Sequence, residues 1–172
     1  MRPTTTELVQ QFSPDGATAV EWDRAQSQLG GAGIYWISTV RADGRPHVTP
    51  LIGVYDDEGF HFCTGPEEQK AVNLARDPRC IVLTGNNGYD GGLDVVIEGT
   101  ARRIVDADRL AQLADAWVSK YGEDWRFEPV EGAFRHGRGG EALVFAVDGD
   151  KALGFDRDGG GSQTRWTFGD PT

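Results

Sequence analysis

The spacing of apolar positions changes character several times along this chain. After a Thr4-Thr5-Thr6 cap, Glu7 to Phe12 reads as helix, and so does about Ala17 to Leu29, where Trp22, Ala25 and Leu29 fall at helical spacing. Ser13-Pro14-Asp15-Gly16 separates the two and Gly30-Gly31 stops the second. From Ile34 the period shortens. Ile34 to Val40 is dominated by β-branched and aromatic residues, Asp43-Gly44 signals a hairpin, and the returning strand runs from about Arg45 to Tyr55. Phe60 to Thr64 completes a meander, and a short helix, about Glu67 to Arg76, starts after Pro66 and stops at Asp77-Pro78.

Strand signals resume at Cys80 to Thr84 and at Leu93 to Val105, the latter long enough to bend around a barrel, with a flexible loop from Gly85 to Gly92 between them. The clearest helix is about Ala107 to Tyr121. Leu110, Leu113, Ala114, Trp117, Val118 and Tyr121 share one face, and Gly122 stands where a C-terminal cap belongs. About Glu123 to Gly140 reads as irregular. Ala142 to Val147, Lys151 to Phe155 and Thr164 to Phe168 form a second meander. The expected fold is mainly β (α+β): a split antiparallel β-barrel with Greek-key topology and peripheral helices. Residues 1–172 are expected to make a single domain, with 1–30 a helical segment packed on it.

Charge narrows the partners. A net charge of -10 argues against a nucleic-acid surface and against docking to anionic lipid, so any anionic ligand needs a local basic site working against the overall field. No apolar run is long enough to span a bilayer, and Met1-Arg2-Pro3-Thr4 lacks the apolar core of a secretion signal. With two cysteines, Cys63 and Cys80, there is no disulfide scaffold, and a cytoplasmic setting is expected.

Hydrolase elbows, NTPase phosphate loops and dinucleotide-binding glycine motifs are missing. His61 and Cys63 share one strand face, with Cys80 and His47 as the other candidate zinc ligands. Such coincidences are common on strands, so packed residues are the preferred reading and no metal site is expected. The informative stretch is Arg41 to Ala75. A strand ending in Thr64-Gly65 feeds a helix carrying Lys70 in its first turn, and backbone N–H groups at a helix start attract phosphate. The alternative is a solvated helix lysine.

Gly44-Arg45-Pro46-His47-Val48-Thr49-Pro50, then Phe62-Cys63-Thr64-Gly65, then Lys70-Ala71-Val72-Asn73-Leu74 and Asp77-Pro78-Arg79, follow one another in order. Gly92 to Ala101, Lys120-Tyr121-Gly122 with Asp124-Trp125, Lys151 to Phe155 and Thr164-Arg165-Trp166 with Phe168 continue the series. This ordered set resembles the pyridoxamine 5'-phosphate oxidase-like split β-barrels, and most of all their branch that uses the deazaflavin F420. The resemblance implies a homodimer with the cofactor at the subunit interface. Lys70 would hold its phosphate beside Thr64, Gly65 and Asn73, and His47, Val48, Thr49 and Pro50 would lie against the ring. Arg165 and Trp166 would wall the pocket. It implies hydride transfer from F420 to a small organic acceptor, with no catalytic acid–base pair, and FMN as the alternative cofactor. A non-catalytic carrier of haem, flavin or a metabolite is a further alternative, with His47, His61 and His136 as available haem ligands. The loops 86–92 and 127–140 would line the substrate pocket, their glycines allowing a lid.

The chain departs from the pattern beside Lys70. Its neighbours are Glu67, Glu68 and Gln69, and carboxylates there repel a phosphate while themselves satisfying the helix dipole. Arg41, Arg45, Arg76 and Arg79 are the basic residues available to compensate.

Overall fold

The computed structural model describes residues 1–137 and 139–169, so Arg138, within the expected pocket loop, lies outside the described residues. Its strands are β1 (Thr5–Leu8), β2 (Tyr35–Val40), β3 (Pro46–Leu51), β4 (Gly53–Asp56), β5 (Gly59–Thr64), β6 (Arg79–Thr84) and β7 (Leu93–Arg103), then β8 (Phe127–Val130), β9 (Ala133–His136), β10 (Glu141–Asp156) and β11 (Ser162–Thr167). The helices are α1 (Trp22–Gly31), α2 (Gln69–Arg76) and α3 (Ala107–Tyr121). The sheet runs β1-β11-β10-β7-β6-β2-β3, and β5 pairs the other edge of the first half of β10, with β4 beyond it.

β3 and β4 therefore stand at opposite ends of the hydrogen-bonded path, yet only Ile52 separates them in the chain. The barrel is completed there by covalent continuity rather than by a ladder, which is the split of the expected split barrel. The expected single strand Arg45 to Tyr55 is broken at this corner. A Cβ on Gly53 would lie 2.4 Å from Phe60 Cζ and 2.6 Å from the His61 carbonyl, so no larger residue fits the bend. Tyr121 pins it: its hydroxyl accepts from Gly53 N–H (3.1 Å) and donates to Gly53 O (2.8 Å). Lys120 Nζ donates to the same carbonyl at 3.1 Å and to Tyr35 OH at 2.7 Å, and burial pulls its pKa down to about 8.

Three further expectations change. Glu7 to Phe12 is not a helix: Thr5–Leu8 pairs with Thr164–Thr167 of β11, and only Gln10–Phe12 makes a 3₁₀ turn. Isolated helices this short are unstable in water, whereas β-branched Thr5 and Thr6 suit a sheet edge. The irregular stretch 123–140 contains the β8–β9 hairpin, turned at Gly132 with φ +67°. The runs Ala142 to Val147 and Lys151 to Phe155 belong to one strand, β10, whose register shifts between Gly149 and Lys151.

Two cores result. Trp22, Ala25 and Leu29 of α1 pack with Tyr35, Ile37, Val82, Ile97 and Trp166 inside the barrel, and Leu110, Leu113 and Trp117 of α3 pack with Phe127, Phe134 and Val144 outside it. Along the barrel's outer face one register row passes through Pro50, Trp36, Leu83, Val96, Leu153 and Arg165. Trp166 points the other way. It is fully enclosed, its ring 5.1 Å from that of Trp22. Its expected place in a pocket wall is corrected: strand alternation puts Arg165 and Trp166 on opposite faces.

Trp166→Ala is expected to cost about 3–5 kcal/mol, and Gly154→Ala about 1–3 kcal/mol, because a Cβ on Gly154 would sit 2.5 Å from the Trp166 ring. Urea unfolding of both variants checks this, and a Trp166→Ala variant of unchanged midpoint would contradict the core assignment.

Candidate functional site

β5 ends on Thr64, and the turn Gly65-Pro66-Glu67-Glu68 delivers the chain into α2, which begins at Gln69, two residues later than the start expected just after Pro66. Glu68 takes the N-cap position without capping its own helix. Its carboxylate turns instead to Gly65, whose N–H donates to Oε1 at 2.8 Å, and to Lys70, whose ammonium donates to Oε2. Lys70 is only 7% exposed. Asn73 faces away from this pair: its Nδ2 donates to Thr39 Oγ1 at 2.9 Å and its Oδ1 accepts from Gln69 at 2.8 Å, tying α2 to β2.

These groups form the polar end of a cleft of about 550 Å³, a size that suits a cofactor or drug-sized ligand. Thr64, Gly65, Glu68 and Lys70 line that end, and Ile34, Pro50, Leu51, Ile52 and Cys63 form one wall. Trp125, Phe127 and His136, from the 3₁₀ turn after α3 and the β8–β9 hairpin, form the other. Burial pushes the Cys63 thiol up to about 12, so it lines the cleft as an uncharged group. Burial also raises the Glu68 carboxyl, but the Lys70 and Gly65 hydrogen bonds outweigh it and hold the group below the usual glutamate range.

The structure thus brings together Pro50, Thr64, Gly65 and Lys70 and leaves the other expected residues at varying removes. His47 lies behind, 3.5 Å from Thr39 Oγ1, its pKa lowered first by burial and then by Arg41 and Lys70. The Thr49 hydroxyl is buried without a hydrogen-bond partner, whereas Val48 faces solvent at 52% exposure. Arg165 stands on the outer face, 3.9 Å from Glu7. None of the four arginines named as compensating charges lines the cleft. Arg79 is held by Asp77 at 2.7 Å, and Arg76 donates to the carbonyls of Val40 and Arg41.

Of the two expected pocket loops, 127–140 contributes Phe127 and His136, but 86–92 does not reach the cleft and is tied to Arg157 and Asp158. Of the aromatic wall, Trp125 was the missed part: it ends the 3₁₀ turn between α3 and β8, where no periodicity marks it. His61 is fully buried beside Asp56 at 2.9 Å and Arg109, and among the described residues no three metal-ligating side chains converge.

A family model described as pyridoxamine 5'-phosphate oxidase matches residues 22–144. The chain belongs to this family. Among its relatives, a pyridoxine/pyridoxamine 5'-phosphate oxidase of Thermobifida fusca is 31% identical over 108 residues, 58% of this chain and 48% of that protein. One from Kineococcus radiotolerans is 33% identical over 92 residues, 49% and 40% respectively. The chain therefore spans less than half the length of these curated family members. A conserved hypothetical protein of Mycobacterium tuberculosis shares the family fold with a TM-score of 0.65 at 20% identity, covering 85% of this chain and 90% of its own. A haem-binding protein from Mycobacterium smegmatis does so with a TM-score of 0.65 at 13% identity, covering 86% and 59%.

The Lys70–Glu68 pair is asymmetric, and its two halves respond differently to mutation. Glu68, with its side chain 53% exposed, can rehydrate when Lys70 is removed, so Lys70→Met is expected to change stability by less than about 1 kcal/mol. Glu68→Gln strands a buried ammonium and is expected to cost about 1–3 kcal/mol at neutral pH. Because the Glu68 pKa is depressed in the fold, this difference should be present above the usual glutamate range and fade as pH falls through the folded value. Equal losses for the two variants in urea unfolding would contradict the assignment.

Proposed function

We propose that the protein is an oxidoreductase whose cleft binds a phosphate-bearing, flavin-type cofactor, F420 in first place and FMN in second. The observation that carries this is the convergence of the Lys70 ammonium, the Gly65 N–H and Thr64 at one end of an otherwise apolar, aromatic cleft. That donor set suits a phosphate, and the walls from Ile34, Leu51, Ile52, Trp125 and Phe127 suit a planar ring. The ordered motifs from Ile34 to Phe168 favour F420; membership of the pyridoxamine 5'-phosphate oxidase family favours FMN.

When bound, the cofactor supplies the hydride chemistry. The chain's part is to seat the phosphate, exclude water with the aromatic wall, and orient a small organic acceptor, so no catalytic acid–base pair is required. Cys63, uncharged in the cleft, does not compete as a nucleophile.

A homodimer belongs to this reading. The outer face of the sheet leaves Trp36 44% exposed and Val48 52% exposed, with Val40 beside them, an apolar surface suited to a second copy of the chain. Its register row starts at Pro50 in the cleft wall and ends at Arg165, so a copy seated on this face makes Arg165 available to a shared cofactor site. The edge position of β3, with Pro46 and Pro50, disfavours pairing by strand addition and leaves face packing as the mode.

Fluorescence titration with F420 and with FMN tests the cofactor. Binding lost by more than about tenfold in Lys70→Ala supports the seat, and consumption of the reduced cofactor with an acceptor separates an enzyme from a carrier. If neither cofactor binds, the reading fails and haem becomes the ligand to try, as the fold is shared with haem-binding proteins. For the dimer, light scattering should give twice the chain mass, and Val48→Asp should return the monomer; an unchanged dimer in that variant would contradict the outer face as interface.

A further inference from the structure

Two of the donors that would seat a cofactor phosphate, the Lys70 ammonium and the Gly65 N–H, already serve the chain's own carboxylate. Glu68 Oε1 accepts from Gly65 N–H at 2.8 Å and Oε2 accepts from Lys70. The Thr64 hydroxyl at the same end of the cleft is buried without a hydrogen-bond partner. Glu68 thus sits as an internal anion where a phosphate would sit. Among the described residues no arginine lines the cleft to offer a second cationic seat.

We infer that Glu68 is the specificity-determining residue of this cleft, excluding small free anions by occupying their seat and yielding it only to a phosphate whose attached ring also binds the apolar walls. This rests on the reading that a cofactor phosphate docks at Lys70. Two anions sharing one buried ammonium repel each other, so a bound phosphate and the seated carboxylate exclude one another. Inorganic phosphate has only its charge with which to displace Glu68. A phosphate ester on a planar ring adds burial against Ile52, Trp125 and Phe127, enough to drive the exchange.

The displaced side chain has somewhere to go. Glu68 precedes α2 with extended backbone, φ -66° and ψ 143°, and its side chain is 53% exposed, so rotation returns its charge to water without unwinding the helix. Glu67 is exposed and contributes to neither the seat nor the cleft lining, which makes it the control for a general charge effect.

The test is binding of inorganic phosphate to the purified full chain, followed through the Gly65 amide resonance, in wild type, Glu68→Gln, Glu68→Asp and Glu67→Gln. Glu68→Gln is expected to bind phosphate about tenfold or more tighter than wild type, since the charged competitor is gone. Glu68→Asp, too short to bridge Gly65 and Lys70, should gain part of this while keeping the charge, and Glu67→Gln should stay at the wild-type value. The same variants are titrated with FMN and with riboflavin, which lacks the phosphate: Glu68→Gln should tighten FMN and leave riboflavin unchanged. Phosphate or FMN binding that is equal or weaker in Glu68→Gln overturns the inference, as does an equal gain in Glu67→Gln. If Glu68→Gln fails to fold, Glu68→Asp decides alone, and no gain in it overturns the inference. Phosphate gain without any FMN or F420 binding in any protein leaves the anion seat standing and removes the cofactor reading. Equal FMN binding in all proteins does the reverse.

Discussion

Strand β10 constrains the whole molecule, because it is hydrogen-bonded along both edges and buried on both faces. Val144 and Ala146 point into the α3 core while Phe145 and Val147 point into the barrel core, and all four are buried. β7 takes one edge over most of its length, and β5 and β11 share the other. A strand so placed has no polar face to spare, so it is continuously apolar from Ala142 to Val147. The cleft opens where these two cores meet, at the end of β5. One wall comes from the barrel corner at Ile52, the other from the aromatic hairpin that α3 supports. Gly53, Lys120 and Tyr121 fix the corner that carries Ile52 into the cleft wall.

Charge is the second organising constraint. A chain with net charge -10 attracts anions poorly, and among the described residues the buried Lys70 is the one lysine or arginine that lines the cleft. A buried ammonium without a counter-ion is costly, and Glu68 supplies one from two residues away. On the proposed reading, the pairing that neutralises the buried Lys70 is the same pairing a cofactor phosphate would replace.

Much of this was legible in the chain. α3 shows its full apolar stripe and its glycine cap, and its observed bounds match Ala107 to Tyr121. β-Branched and aromatic runs bounded by turn signals marked β2, β5, β6 and β7, and the Thr64-Gly65 ending with Lys70 in the following helix marked residues that the structure brings together in one cleft. What escaped depends on contacts distant in sequence. β1 pairs with β11 across the length of the chain, the β8–β9 hairpin has a turn with weak local signals, and Trp166 is committed to Trp22 and Gly154. The acidic residues beside Lys70 were visible, but only the fold distinguishes Glu68, which reaches back to Gly65, from Glu67, which does not. Likewise the corner at Ile52 looks like uninterrupted strand, because its cause is the close approach of Phe60.

The central claim is that the donors gathered around Glu68 form the seat for a cofactor phosphate. A crystal structure of the protein with FMN or F420 bound tests it most directly. The account predicts the phosphate within hydrogen-bonding distance of Lys70 Nζ and the Gly65 N–H, the ring between Ile52 and the Trp125–Phe127 wall, and the Glu68 carboxylate turned out to solvent. A complex in which Glu68 keeps both of its partners while the cofactor phosphate lies elsewhere would contradict it.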